Sequence, residues 1–380
     1  MRLVVNAVRL TRPFTGVGRY LLALLREWSA LDLPFEEVTL VAPGPLHENG
    51  VFPAERYRLV LGGPAWPDPF WEWWTLGARA RGSSLLFSPS YTLPSGYRGR
   101  AVVTHFGPAT NSPGSFESIR AHLYDRLYRA SARRAVRVLT ASSLVKERIV
   151  RAYAVPGDRV EVIPLAPDPA FRPVEDPHNR AAVRRRTLGQ DSPYVLFVGK
   201  LSGRHLIPRL IEAFARARES LVAPPRLLLV GPNVLGLDVA ACAQGHGVRD
   251  LVVHVPHLTE EDLPALYSDA LGFVYPATEA EGFGLPLVEA MACGAPVLST
   301  ALGSVPEVTG GAALLVPTND AQTWAAALRR LIEDAALRED LRRRGLARAR
   351  AFSWRTTAER TMAILREAAG PPPSSGTRLQ

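Results

Sequence analysis

Short apolar runs alternate with amphipathic stretches through both halves of the 380-residue chain. That alternation predicts strand–helix–strand units and parallel sheets. Residues 3–8 read as the first strand. A loop with Pro13, Gly16 and Gly18 follows, then a helix with Leu21, Leu22, Leu24 and Leu25 on its apolar side. Further strands are predicted over residues 38–42, 85–87, 101–104 and 136–140. A second start at residues 194–199 leads through a polar, glycine-containing loop into a helix over 208–217. Strands over 226–230, 251–255, 272–275 and 296–299 come next, then helices over 323–333, 337–351 and 356–369.

Pro164, Pro167, Pro169, Pro173 and Pro177 crowd one stretch between the halves, a domain-boundary signal. The expected organisation is a doubly wound domain over 1–170, a linker over 171–190, a second such domain over 191–353 and a closing helix over 354–369. The tail over 370–380, with three consecutive prolines, cannot continue a helix and is expected to be disordered. The length suits two domains. The aromatic cluster Trp66, Phe70, Trp71, Trp73 and Trp74 reads as packing a helix onto a core, with a sugar platform or a membrane-facing patch as the alternative.

Composition narrows the classes. Hydrophobic residues at 47% and charged residues at 21% are globular proportions, not those of disorder. No apolar run reaches the length of a membrane span, and Arg9 interrupts the N-terminus too soon for a signal peptide. The expected address is the cytoplasm. Cys242 and Cys293 form neither a disulfide framework nor a metal spacing. The net charge of +9 rests almost wholly on arginine, with Lys146 and Lys200 the two lysines. No zinc-finger or RNA-recognition signature accompanies it, so no nucleic-acid partner is expected.

The chemistry concentrates in Glu281-Gly282-Phe283-Gly284-Leu285-Pro286-Leu287-Val288-Glu289. The segment follows a buried strand, which places its loop at the carboxyl edge where open α/β sheets bind ligands. Pro286 suits the first turn of a helix and Gly294 the left-handed position that ends one. Gly282 and Gly284 let the backbone come close to a ligand. The helix N-terminus offers free N–H groups to a phosphate or a sugar. Glu281 and Glu289 can each accept from two adjacent hydroxyls, as a hexose or a ribose presents them. Either carboxylate alone could simply favour the helix dipole or sit on the surface; the whole block reads as a ligand site.

This segment resembles the E-x7-E signature of glycosyltransferase family 4, the large retaining family with the GT-B fold. The resemblance runs along nearly the whole chain. Thr15-Gly16-Val17-Gly18-Arg19-Tyr20 is similar to the family's N-terminal glycine loop, Val162-Ile163-Pro164 to a landmark before the linker, and Phe197-Val198-Gly199-Lys200 to the opening of its second domain. Ser304-Val305-Pro306-Glu307 also matches and reads independently as a capping box. The nearest subgroup is the mannosyltransferase-like members that build bacterial surface polysaccharides.

The resemblance implies two Rossmann-like domains facing across a cleft, with the last helix crossing back to the first. It implies a donor-sugar contact for Glu281 and a ribose contact for Glu289. The backbone of Gly282, Phe283, Gly284 and Leu285 would hold sugar and phosphates. Lys200 takes the place of the cation that neutralises the diphosphate. A second lysine is usual a few residues on; here His205 stands at that place with Arg204 beside it, and Arg204 is expected to serve. His105, at the end of the 101–104 strand, would face the donor sugar, although Phe106 replaces the aspartate common there. Gly16 and Gly18 would lie near the acceptor. Pro256 replaces a glycine near the base, so the base is not carried over. No Asp-x-Asp pair occurs, which fits a donor site without metal or cofactor. The acceptor would be a glycan, a lipid-linked glycan or a small molecule. A basic first domain would also be drawn to anionic lipid at the inner face of a membrane.

Rival readings are a sugar-nucleotide epimerase of similar shape and a catalytically weak protein that only binds nucleotide sugar, which the departures at Phe106, His205 and Pro256 support. A nicotinamide oxidoreductase fits poorly, because Gly16-Val17-Gly18 lacks the third glycine of the dinucleotide fingerprint.

Overall fold

The computed structural model describes residues 1–11, 16–47, 52–63, 68–107 and 116–371. Pro13, Thr15, Trp66 and the tail from 372 lie outside them. The chain divides into two compact units. Unit 1 is Met1–Leu165 together with the C-terminal segment from Trp354, and unit 2 is Ala166–Ser353.

Unit 1 is built on a seven-stranded parallel sheet. Its strands are β1 (Arg2–Asn6), β2 (Glu37–Ala42), β3 (Arg58–Leu61), β4 (Leu85–Ser88), β5 (Ala101–Thr104), β6 (Arg137–Thr140) and β7 (Val160–Val162), in the order β3-β2-β1-β4-β5-β6-β7. The central strands carry apolar residues on both faces, because helices cover both sides of a parallel sheet. Leu3, Val5, Leu86, Val102 and Val103 are all fully buried or nearly so. Helix Gly16–Ser29 buries Leu21, Leu22, Leu24, Leu25 and Trp28. The last helix, Trp354–Ala369, packs against it: the Trp28 indole donates to the Ala358 carbonyl, and Thr357 donates to the Pro164 carbonyl.

Unit 2 repeats the plan with β8 (Tyr194–Val198), β9 (Arg226–Val230), β10 (Val252–Val255), β11 (Gly272–Tyr275), β12 (Val297–Thr300) and β13 (Ala313–Val316), ordered β10-β9-β8-β11-β12-β13 and parallel throughout. In both sheets the chain works outward on one side and then returns to the middle. The order therefore reverses between β1 and β4 in unit 1 and between β8 and β11 in unit 2.

Four details differ from the sequence reading. The segment expected to link the domains holds helix Pro177–Leu188, which packs on helix Leu263–Asp269 within unit 2. Arg184 fixes it there through Asp269 and Asp191. Prolines mark where a helix starts here, with Pro177 in the first turn and Asp176 as N-cap, rather than a flexible joint. The capping box at Ser304 does not form. Ser304 has helical backbone angles (φ −82°, ψ −1°) instead of the extended ones a cap needs, and its buried hydroxyl has no partner among the described residues. The aromatic cluster divides: Trp71 is core, while Phe70 and Trp74 are exposed and stack on each other. Finally, β3, β7 and β13 were not foreseen.

Candidate functional site

The predicted site residues of unit 2 come together where its strand order reverses. One loop leaves β8 and carries Lys200, Arg204 and His205 into helix Ile207–Arg218. Another leaves β11 and carries Glu281 to Gly284 into helix Leu285–Ala292. Crevices at such reversals, outside the carboxyl ends of the strands, are where open α/β sheets bind ligands.

Local chemistry shapes both loops. Gly231, which follows β9, has φ +130°, and a Cβ built on it would stand 2.2 Å from the Gly199 carbonyl oxygen. The β8 loop therefore runs backbone against backbone with the β9 loop, and Leu201 donates to the Pro232 carbonyl. Leu206 closes the β8 loop in the left-handed region (φ +42°), a strained place for a leucine. Gly284 takes φ +82° as N-cap of helix Leu285–Ala292, and Pro286 lies in its first turn. Gly294 follows the helix at φ +77°.

Glu281 and Glu289 are both buried, so neither is a surface helix residue. Oε1 of Glu281 accepts from its neighbour Gly282 N–H at 3.1 Å, and Oε2 accepts from the Tyr275 hydroxyl at 3.0 Å. Burial by itself would raise this carboxyl. His205, the Tyr275 hydroxyl and the charge of Arg204 outweigh burial and bring it below its usual value. Glu289 accepts from the Tyr267 hydroxyl at 3.3 Å. Lys200 and Arg204 are exposed, whereas His205 is buried under Phe197 and Tyr275. Tyr275 and Tyr267 were missed by the sequence reading. Each lies inside an apolar run, where a tyrosine reads as core, and no spacing marks its hydroxyl.

The remaining predicted residues belong to unit 1. Gly16 opens helix Gly16–Ser29 on its exposed side, and Gly18 is buried in the helix. His105 follows β5 and is wholly buried. Its Nδ1 accepts from Gly107 N–H at 3.1 Å, while Nε2 has no partner among the described residues. The rings of Tyr91, Tyr153 and Tyr128 surround it at 4.9, 5.2 and 5.4 Å. Burial pushes this imidazole down to about 3, so it is neutral, with the proton on Nε2.

Unit 1 also holds a polar cluster that the sequence did not reveal. At the reversal between β1 and β4, Asn6 Nδ2 and Ser90 Oγ each donate to Glu72 Oε1 at 2.7 Å, and Thr92 donates to Oε2 at 2.8 Å. Burial raises the Glu72 carboxyl, and these hydrogen bonds oppose it.

The group 1 glycosyl transferase model matches residues 179–348, and the glycosyltransferase family 4 model matches residues 14–171. Between them they span both units. The chain belongs to glycosyltransferase family 4. This family 4 enzyme is 28% identical to O-antigen chain mannosyltransferase B of Escherichia coli, over 95% of the chain and 98% of that protein. It is 33% identical to a D-inositol 3-phosphate glycosyltransferase of a Nocardioides strain, over 58% of the chain, and the match spans about half of that longer protein (51%). Among solved structures, Anabaena HepE in complex with UDP and glucose shares the fold, with a TM-score of 0.76 and 16% identity over 97% of this chain and all (100%) of that one. The family 4 transferase therefore has the GT-B kind of architecture, two parallel-sheet Rossmann-like units. Among its described residues no helix is long and apolar enough to cross a membrane.

Proposed function

We propose that this glycosyltransferase moves a hexose from a nucleoside-diphosphate sugar, with retention at the anomeric carbon, onto a glycan or lipid-linked acceptor in surface-polysaccharide synthesis. The observation that carries the reading is the pair of buried carboxylates, Glu281 and Glu289. They are spaced along a loop and helix N-terminus, with Lys200 and Arg204 on the neighbouring loop. An O-antigen mannosyltransferase as relative and a UDP-bound structural neighbour support the same donor class.

In this reading Glu281 accepts from the hydroxyls of the hexose and Glu289 from those of the ribose. The N–H groups of Gly284 and Leu285 face sugar and phosphate at the positive end of the helix dipole, while those of Gly282 and Phe283 are turned to Glu281 Oε1. Lys200 and Arg204 stabilise the charge that grows on the diphosphate as the bond from the anomeric carbon to its oxygen breaks. Side-chain cations and a helix terminus then do the work of a divalent metal, and no cofactor is needed. Nothing beyond a two-domain shape favours the epimerase reading.

Contact with an anionic membrane face is part of the proposal, and the partition of charge supports it. Unit 1 carries 25 Lys and Arg against 15 Asp and Glu, a net +10, while unit 2 carries 20 against 21, a net −1. The basic surplus therefore lies in the unit assigned to the acceptor.

Two variants test the donor site. Glu281→Ala should abolish transfer while cooperative unfolding is kept. Glu289→Ala should lose the thermal stabilisation that one of UDP, GDP, ADP or TDP gives the wild type. Normal turnover by the first variant, or equal stabilisation of the second, would overturn the assignment.

A further inference from the structure

His205, Tyr275 and Glu281 form a chain whose hydrogen count is fixed by its ends. His205 Nδ1 lies 2.6 Å from the Lys200 carbonyl oxygen, with Ser202 Oγ at 3.3 Å. A carbonyl only accepts, so Nδ1 carries a proton. His205 Nε2 lies 3.0 Å from the Tyr275 hydroxyl, which lies 3.0 Å from Glu281 Oε2. The direct separation of Nε2 from Oε2 is 3.8 Å, too long for a hydrogen bond, so the hydroxyl carries the connection.

Tyr275 has a single hydroxyl hydrogen. An ionised Glu281 only accepts, and it takes that hydrogen. The tyrosine oxygen must then accept from Nε2, which requires a proton there too. With both nitrogens donating, His205 is an imidazolium. If it loses a proton, Nε2 becomes an acceptor and competes with Glu281 for one hydrogen. One of the two is then left facing a lone pair inside a buried site, which is expensive. Phe197 and Tyr275 pack on the imidazole, and Phe273 stacks on Tyr275, so the rings cannot easily turn away.

We propose that Tyr275 is a positioning residue of the transfer site, relaying a hydrogen bond from a cationic His205 to Glu281, so that the placement of Glu281 depends on the proton on His205. The proposal deepens the donor-site reading above and rests on it for its consequence in turnover. The other charged groups that act on the chain are Arg204 from the β8 loop and Glu289 from the helix after Glu281, and they act on Tyr275 with opposite sign. Neither of these replaces the tyrosine hydroxyl as the bridge.

The test has one arm that does not depend on activity. In protein labelled with 15N-histidine, the His205 ring signals are assigned by their absence from His205→Lys. Near neutral pH the wild-type ring should show both nitrogens protonated, and Tyr275→Phe and Glu281→Gln should each return it to the neutral Nδ1–H form. A neutral ring in the wild type, or the same ring state in all three proteins, overturns the proposal whatever the enzyme transfers. The second arm reads turnover. Tyr275→Phe should keep nucleoside-diphosphate affinity and lower kcat by about ten- to a hundred-fold, the worth of one hydrogen bond to a charged group. The alkaline fall of wild-type kcat should disappear in His205→Lys, where the charge persists. Unchanged kcat in Tyr275→Phe sinks the positioning role and leaves the donor site, tested separately through Glu289→Ala, standing.

Discussion

At the scale of single residues, the two histidines near the predicted chemistry behave in opposite ways because their partners differ. His205 has a carbonyl on one nitrogen and a hydroxyl on the other, while His105 has an N–H donor on one and, among the described residues, no partner on the other. His105 therefore makes the fold sensitive to acid. Its ordinary value near 6.5 applies to the unfolded chain, and burial lowers the native value to about 3. Between these values the unfolded state takes up a proton that the native state refuses. Stability should fall as pH drops from about 6.5 and should stop falling for this reason below about 3, at roughly 1.4 kcal/mol per pH unit. Denaturant titrations of His105→Phe across that range should show a shallower slope than the wild type; equal slopes would mean that other groups dominate. Glu281, Glu289 and Lys200 were legible in the sequence because their chemistry coincides with a glycine-marked loop and a proline-started helix. The hydroxyls of Tyr275 and Tyr267, which hold those carboxylates, were not. Their function depends on which residues face them across strands, and no local spacing records that.

At the scale of elements, the central strands were readable and the edges were not. β1, β5, β9 and β11 have continuous apolar runs because helices cover both faces. β3 at one edge presents Arg58, Leu59 and Leu61 to solvent, and β7 at the other has three residues with Glu161 in the middle. Edge strands lack the burial that writes a pattern into sequence. The site depends on one element contact that sequence shows only as a glycine. Gly231→Ala would force the β8 and β9 loops apart, because the new methyl meets the Gly199 carbonyl and the backbone angle disfavours it. The expected loss is about 1–3 kcal/mol of stability, together with weakened nucleotide binding, since Lys200 to His205 ride on the displaced loop. Calorimetric titration with the nucleotide that stabilises the wild type checks this; unchanged affinity would show that the loop holds its shape without the close approach.

At the scale of the whole molecule, sequence gave both sheets but placed the boundary imprecisely, since prolines mark the starts of ordered helices as well as joints. Removing the chain after Ser353 should weaken unit 1, although the cut lies far from it in sequence. Met362 and Leu365 of the last helix are buried there, at roughly 1.5–3 kcal/mol each. The truncated protein should show an earlier unfolding transition for unit 1 and an unaltered one for unit 2; a single unshifted transition would mean that the last helix is dispensable. The same layout has a consequence during synthesis. Unit 2 is an insertion within the sequence of unit 1, so the first 165 residues leave the ribosome without their final partner. At about 5–20 residues per second, translating the insertion takes on the order of 10–40 s. Throughout that interval the face that carries Trp28 waits uncovered, and a newborn chain must be kept from sticking there until its last helix arrives.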